Sequence, residues 1–177
     1  MLEPLLLAGP NIPLPLHGVA PRVVLGQKWW DRERRAAYRA TGFHCLACGV
    51  HKSEAKFHRW LEGHEVYRIV YLSGVMTYER TVPLCHACHS YVHDGRLEYL
   101  KKSRMITFTK YAAVIQHGEA VLAAAGHSRL PRVERDREMT ELLMSGRVAP
   151  SKSWRLVIPG HGTYSAQDAL EKTDEVS

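Results

Sequence analysis

The chain has 177 residues, 45% of them hydrophobic, with 24 Lys and Arg against 18 Asp and Glu and a formal charge of +6. That apolar content excludes wholesale disorder, and the length suits one domain with extensions and a substantial core. No run is long and apolar enough to read as a membrane span. The pI near 9.3 makes nucleic acid the natural acidic partner, although ordinary surface lysines and arginines give the same balance.

Met1 to Leu7 is apolar but lacks a basic flank and runs into Pro10 and Pro13. This predicts a docking arm and not a signal peptide. With Pro15 and Pro21 following, residues 1–27 are expected to be extended and packed on the body. Lys28 to Ala40 contains no Gly or Pro and reads as a helix. Lys28, Arg32, Arg35 and Arg39 recur on one face of it, while Trp30 and Ala37 can face a core. The basic stripe is either a phosphate-contacting surface or a solvated face.

The next stretch, Phe43 to Leu97, holds the only cysteines: Cys45-x-x-Cys48 and Cys85-x-x-Cys88, with 36 residues between the pairs and His89 directly after the second. Each pair can grip one tetrahedral ion from a tight turn or a first helical turn, and two pairs close a zinc shell. Two disulfides are the alternative. The regular spacing and the lack of a secretion signal favour reduced, metal-bound thiols in the cytoplasm. Gly49 fits a knuckle after Cys48. Glu65 to Leu72 and Val75 to Leu84 are rich in β-formers and flank Ser73-Gly74, so they read as a β-hairpin, with Pro83 expected to end it. Cys85 to His93 should open a helix capped by Gly95. Knuckle, hairpin and helix in that order predict an α+β domain: a small treble-clef/ββα zinc core surrounded by helices.

Thr109 to Ala125 predicts a helix burying Tyr111, Val114, Ile115, Gly118, Leu122 and Ala125, ended by Gly126. Glu134 to Met144 reads as a short helix, Trp154 to Ile158 as a strand and Pro159 to Gly162 as a turn. Lys172 to Ser177 should fray. The organisation expected is an arm over 1–27, a zinc domain with flanking helices over 28–126 and a C-terminal extension over 127–177.

Among the histidines, His64 stands just before the first hairpin strand. His89 and His93 are four apart and share a helix face. Facing imidazoles suit phosphodiester hydrolysis: a neutral one takes a proton from water, another holds a divalent ion. His44, His51, His58 and His86 read as surface residues. Trp60, Tyr67, Tyr71 and Tyr78 read as hairpin core and not as a stacking platform for bases.

The run Cys45-x-x-Cys48, Leu61-Glu62-Gly63-His64-Glu65, Val82-Pro83-Leu84-Cys85-x-x-Cys88-His89 and His93 resembles the HNH endonuclease superfamily in its zinc-stapled form. More narrowly it resembles HNH-like proteins of phages and bacteria, which also share the Leu16–Arg22 and Trp29-Trp30 stretches. The resemblance spans roughly residues 10 to 100. It implies a structural Zn2+ on Cys45, Cys48, Cys85 and Cys88, with His64 as general base. It further implies His89, with His93 and Glu62 or Glu65, on a catalytic Mg2+ or other divalent ion. Two positions depart from the family pattern: Gly63 stands where a metal-binding aspartate is usual, and Arg80 near where an asparagine orients the base. Strand alternation sets Glu65 on the face opposite His64. The activity implied is metal-dependent cleavage of nucleic acid, DNA foremost, with Arg32, Arg35, Arg39 and Arg80 on backbone phosphates. The alternatives are a non-catalytic zinc module binding nucleic acid or a protein partner, and a regulatory protein whose zinc core only holds its shape.

Overall fold

The structure, a computed structural model, describes residues 1–10 and 12–174. In chain order it forms 3-10 turns at Pro4–Ala8 and Leu14–Leu16, helices α1 (Pro21–Val24) and α2 (Gly26–Ala40), and a 3-10 turn at Lys52–Glu54. Strands β1 (Leu61–Val70) and β2 (Val75–Cys85) follow, then α3 (His86–Val92), α4 (Asp94–Lys102), α5 (Phe108–Ala124) and α6 (Arg132–Met144). A 3-10 turn at Ser151–Ser153, β3 (Arg155–Ile158), β4 (Gly162–Tyr164) and α7 (Ala166–Asp174) complete it. The fold is α+β. Its sheet has the order β1-β2-β3-β4, with β2 and β3 parallel and β3 and β4 antiparallel.

The chain divides into two compact units. One comprises Met1–Gly9, Ala36–His64 and Val82–Arg132; the other comprises Pro10–Arg35, Glu65–Thr81 and Val133–Ser177. This differs from the arm, core and extension expected from the sequence. The Pro-rich start is not extended: it coils into 3-10 turns and α1, because Pro suits the first positions of such turns. Nor is the C-terminal third an appendage, since it contributes β3, β4 and α7 to the second unit.

In the first unit, Leu7, Leu84, Val114 and Leu122 are fully buried. The Glu3 amide donates to the Leu46 carbonyl at 2.9 Å, and the Leu2 side chain lies over Gly49, whose φ of +78° makes the knuckle turn. α5 begins one residue earlier than expected, capped by the Thr107 hydroxyl, which accepts from the Lys110 amide. Its buried stripe is Val114, Gly118 and Leu122, whereas Ala125 is the exposed C-cap. The Tyr91 ring lies against Gly118 so closely that an added Cβ would meet it at 2.2–2.6 Å.

Two further segments differ from expectation. Pro83 does not end the second strand, which runs on to Cys85. Among the described residues β3 pairs with Val75–Thr77 and not with the end of β2, and the Pro83 carbonyl accepts from the Leu46 amide at 2.9 Å. Gly95 does not cap α3. His93, at φ −88° and ψ 50°, ends α3 and begins α4, placing Gly95 inside α4 with Asp94 in its first turn. The last carbonyls of α3 are satisfied by Arg129, whose guanidinium donates to Tyr91 and Val92 at 2.8 and 3.3 Å.

The second unit is built on Trp29, Trp30, Met76, Trp154, Leu156 and Ile158, with Tyr67 and Tyr71 packed against them. Trp154 donates from Nε1 to the Ala149 carbonyl at 3.1 Å, which satisfies the indole inside the core. Gly74 turns the hairpin at φ +68°, and a Cβ there would come within 2.8 Å of the Ala149 methyl. α7 extends to Asp174, so Lys172 lies in a helix; the rest of the tail expected to fray, 175–177, lies outside the described residues.

Candidate metal centre and histidine cluster

Cys45 and Cys48 sit in the knuckle, held by the Gly49 amide donating to the Cys45 carbonyl and the Cys45 amide to the Val50 carbonyl, both at 2.9 Å. Cys85 ends β2 and is the N-cap of α3; Cys88 lies in the first turn of that helix. The four sulfurs fall within 4.8 Å of one another, and none is in a disulfide. Cys48 and Cys85 are separated by 3.8 Å between sulfurs. A tetrahedral ion with metal–sulfur bonds of about 2.3 Å requires sulfur–sulfur edges of about 3.8 Å, so the spacing suits a shared metal ion. Contact with Cys45 pulls the Cys48 thiol far below its ordinary range and pushes Cys88 far above it. Four thiols this close cannot all ionise without a cation among them. Against this cluster lies His117 of α5, its Nε2 3.2 Å from the Cys88 sulfur and 4.0 Å from that of Cys85.

A second constellation also involves α3. β1 starts at Leu61, four residues earlier than the sequence suggested, so His64 is inside the strand. The two-residue period then puts Glu62 and His64 on one face and Glu65 on the other. The His64 ring stands 5.6 Å from that of His89 and 5.1 Å from that of His93, which are 4.6 Å from each other. A ligand nitrogen from each of the three lies within 4.8 Å of the others. Burial, with the nearby His89 and His93 adding to it, pushes the His64 pKa down to about 3, so its imidazole is neutral at pH 7. Its Nδ1 is buried with no hydrogen-bond partner among the described residues, an orphan that an ion among the rings would satisfy.

Glu62 stands behind this trio. Its Oε2 pairs with His89 Nδ1, leaving His89 Nε2 as the free ligand atom. Its Oε1 is 2.7 Å from His86 Nδ1 and 3.1 Å from His58 Nε2. Burial works to raise the Glu62 pKa, but hydrogen bonds from His86 and His89 outweigh it and hold the carboxyl well below the usual carboxylate range. The arrangement of a carboxylate fixing the tautomer and angle of a potential ligand histidine is the usual support for a metal-bound imidazole. Beside Glu62, His89 and His93 opens a cleft of about 80 Å³ whose wall includes Arg96 and Lys110 together with Leu97 and Ile106.

The structure thus brings together His64, His89 and His93, with Glu62 one layer behind. Glu65 joins neither this cluster nor the Glu62 network; its charge acts on Tyr67 and Tyr78, as the strand parity requires. Lys28, Arg32, Arg35 and Arg39 are exposed along α2, whereas Trp29 and Trp30 are buried, and Arg80 is exposed on β2. Arg32 and Arg35 approach Glu33 and Asp31 at 3.3 and 3.7 Å, loose pairs that leave most of each guanidinium in solvent. Sequence reasoning missed five participants. His58 and His86, read as surface residues, are half-buried around Glu62, and His117 and the Arg96–Lys110 wall come from α5 and α4. Only His86 had a local signal, three residues before His89 on the same helix face. Trp60 is also reassigned: it is exposed and stacks flat on His58 at 3.6 Å.

Among the described residues no helix is long and apolar enough to cross a membrane. No protein-family model, curated protein or solved structure matches the chain.

Proposed function

We propose that the chain is a metal-dependent hydrolase of nucleic-acid phosphodiester bonds, of HNH-like type, built on a treble-clef core that a structural Zn2+ fastens through Cys45, Cys48, Cys85 and Cys88. The single observation that carries this reading is the convergence of His64 from a strand with His89 and His93 from a helix, with Glu62 fixing His89 from behind. His89 and His93 would hold a divalent ion, an imidazole pair that suits Mn2+ or another first-row ion better than Mg2+, and that ion would supply charge to polarise a phosphate and stabilise the leaving oxygen. His64, the strand imidazole facing His89 and His93, would accept the proton of the attacking water. Glu62 orients His89 and keeps its Nε2 toward the trio. Arg96 and Lys110 supply positive charge on the wall of the adjoining cleft, where a phosphate oxygen would rest. The exposed Arg32, Arg35, Arg39 and Arg80 add salt-dependent attraction for a polyanion.

The test is cleavage of supercoiled plasmid and of labelled single-stranded DNA and RNA with added Mg2+ or Mn2+. His64→Ala is expected to lower the rate by about 10²–10⁴-fold, the contribution of one proton-transfer group. Cleavage that survives this substitution removes His64 from the mechanism, and binding without cleavage in every metal overturns the enzymatic reading.

A further inference from the structure

The trio leaves three groups unused: His58, His86 and the Oε1 atom of Glu62. His58 Nε2 and His86 Nδ1 converge on that one oxygen at 3.1 and 2.7 Å, and the three atoms lie within 4.8 Å of one another. Metal–nitrogen and metal–oxygen bonds of about 2.0–2.2 Å require ligand–ligand edges of about 2.8–3.5 Å; the two nitrogen–oxygen edges are already close to that range, and an ion would draw the two rings, whose nitrogens lie within 4.8 Å, to match. Each ring is also held in place. His58 stacks flat on Trp60 with centroids 3.6 Å apart, and His86 meets His58 edge-on at 4.3 Å and Phe57 at 5.5 Å. His86 Nε2 lies 3.5 Å from the Ser90 hydroxyl, an acceptor for the ring proton when Nδ1 gives its lone pair to a metal. Two imidazoles and one carboxylate on one side of an ion is a donor set for first-row transition metals and not for Mg2+.

We infer that His58, Glu62 and His86 form a second imidazole-carboxylate metal site, which takes a first-row divalent ion and is coupled to the His64–His89–His93 cluster through the two oxygens of Glu62. An ion on Oε1 withdraws charge from Oε2, weakens the hydrogen bond to His89 Nδ1 and so lowers the basicity of His89 toward its own ion. Filling one site therefore weakens the other, and binding is stepwise. The inference needs only the ligand geometry, and it stands whether or not the protein cleaves nucleic acid.

The probe is Ni2+. Full-length protein is equilibrated with nickel chloride, and zinc and nickel per chain are counted by plasma mass spectrometry, with calorimetry recording the isotherm. The wild type is expected to hold three ions, one on the thiols and two on the imidazoles, the second imidazole ion binding more weakly than the first. His58→Ala with His86→Ala lowers the total to two, and so does His89→Ala with His93→Ala. Glu62→Gln, close to isosteric, weakens both imidazole ions by about 10–100-fold. His58→Gln alone is the fallback should a double variant fail to fold, since His58 lies in the bent segment ahead of β1. A wild-type total of two or fewer overturns the inference. So does a third ion that persists without His58 and His86 but is lost in His51→Ala, which would place it on the neighbouring His44 and His51 rings. Loss of cleavage with three ions retained counts against the hydrolase alone, and cleavage with only two ions counts against the second site alone.

Discussion

At the scale of single residues, the most consequential contact outside the four sulfurs is His117. Four thiolates around one divalent ion carry a net charge of about −2 in a largely buried setting, and such charge is costly unless donors share it. The His117 Nε2, 3.2 Å from the Cys88 sulfur, is placed to be such a donor. His117→Ala is expected to keep one zinc per chain but to lower its affinity by about 10–100-fold, read as transfer to a chromophoric chelator. An unchanged transfer rate would reduce His117 to packing. The cysteines were legible in the sequence because their spacing is local: two residues fix each pair, whatever the rest of the chain does. His117 was not legible, since 29 residues separate it from Cys88 and only the packing of α5 on α3 joins them. The role of Glu62 was half legible. It was a candidate ligand by sequence, but it shares a face with His64 only if the strand already includes both residues, and the expected start at Glu65 left them outside it.

At the scale of elements, periodicity carried furthest where a segment is long and one-sided. α5 and α2 came within two residues of their expected bounds because a helix with one apolar stripe has few other ways to be buried. α4 and α7 were missed: each is nine residues long, and α4 follows α3 with only His93 between them, where the sequence offers Asp94-Gly95 as a stop. Packing of the buried Leu97 overrode that signal. Gly118 illustrates what pattern alone cannot reveal. A glycine in mid-helix costs helix propensity, and here the cost is offset because the Tyr91 ring occupies the space a Cβ would need. Gly118→Ala is therefore expected to destabilise by about 1–3 kcal/mol despite its better helix propensity, seen as a lower melting temperature. Combined with Tyr91→Ala, the same change should cost less or stabilise, since the ring is gone. An equal cost in both backgrounds would show that the contact with Tyr91 is not the cause.

At the scale of the whole chain, the two units are stabilised by different means. The second has a conventional apolar core containing Trp29, Trp30 and Trp154, three of the four tryptophans. In the first, Cys45, Cys85 and Cys88 are themselves core residues, each at most 1% exposed, so the ion proposed for them is part of the core. Binding energy from a structural zinc is folding energy for whatever closes around it. Stripping the metal with a strong chelator should then open the first unit and spare the second. Hydrogen exchange would speed up across 36–64 and 82–132, while amides of 12–35, 65–81 and 133–174 stay protected and the near-ultraviolet circular dichroism of the buried tryptophans persists. Trp60, exposed already, would contribute little to that signal. Restoring zinc should recover the lost protection in the same segments. If both sets of amides lose protection together, the strands that run from one unit into the other make the chain a single cooperative structure, and zinc holds more than the first unit.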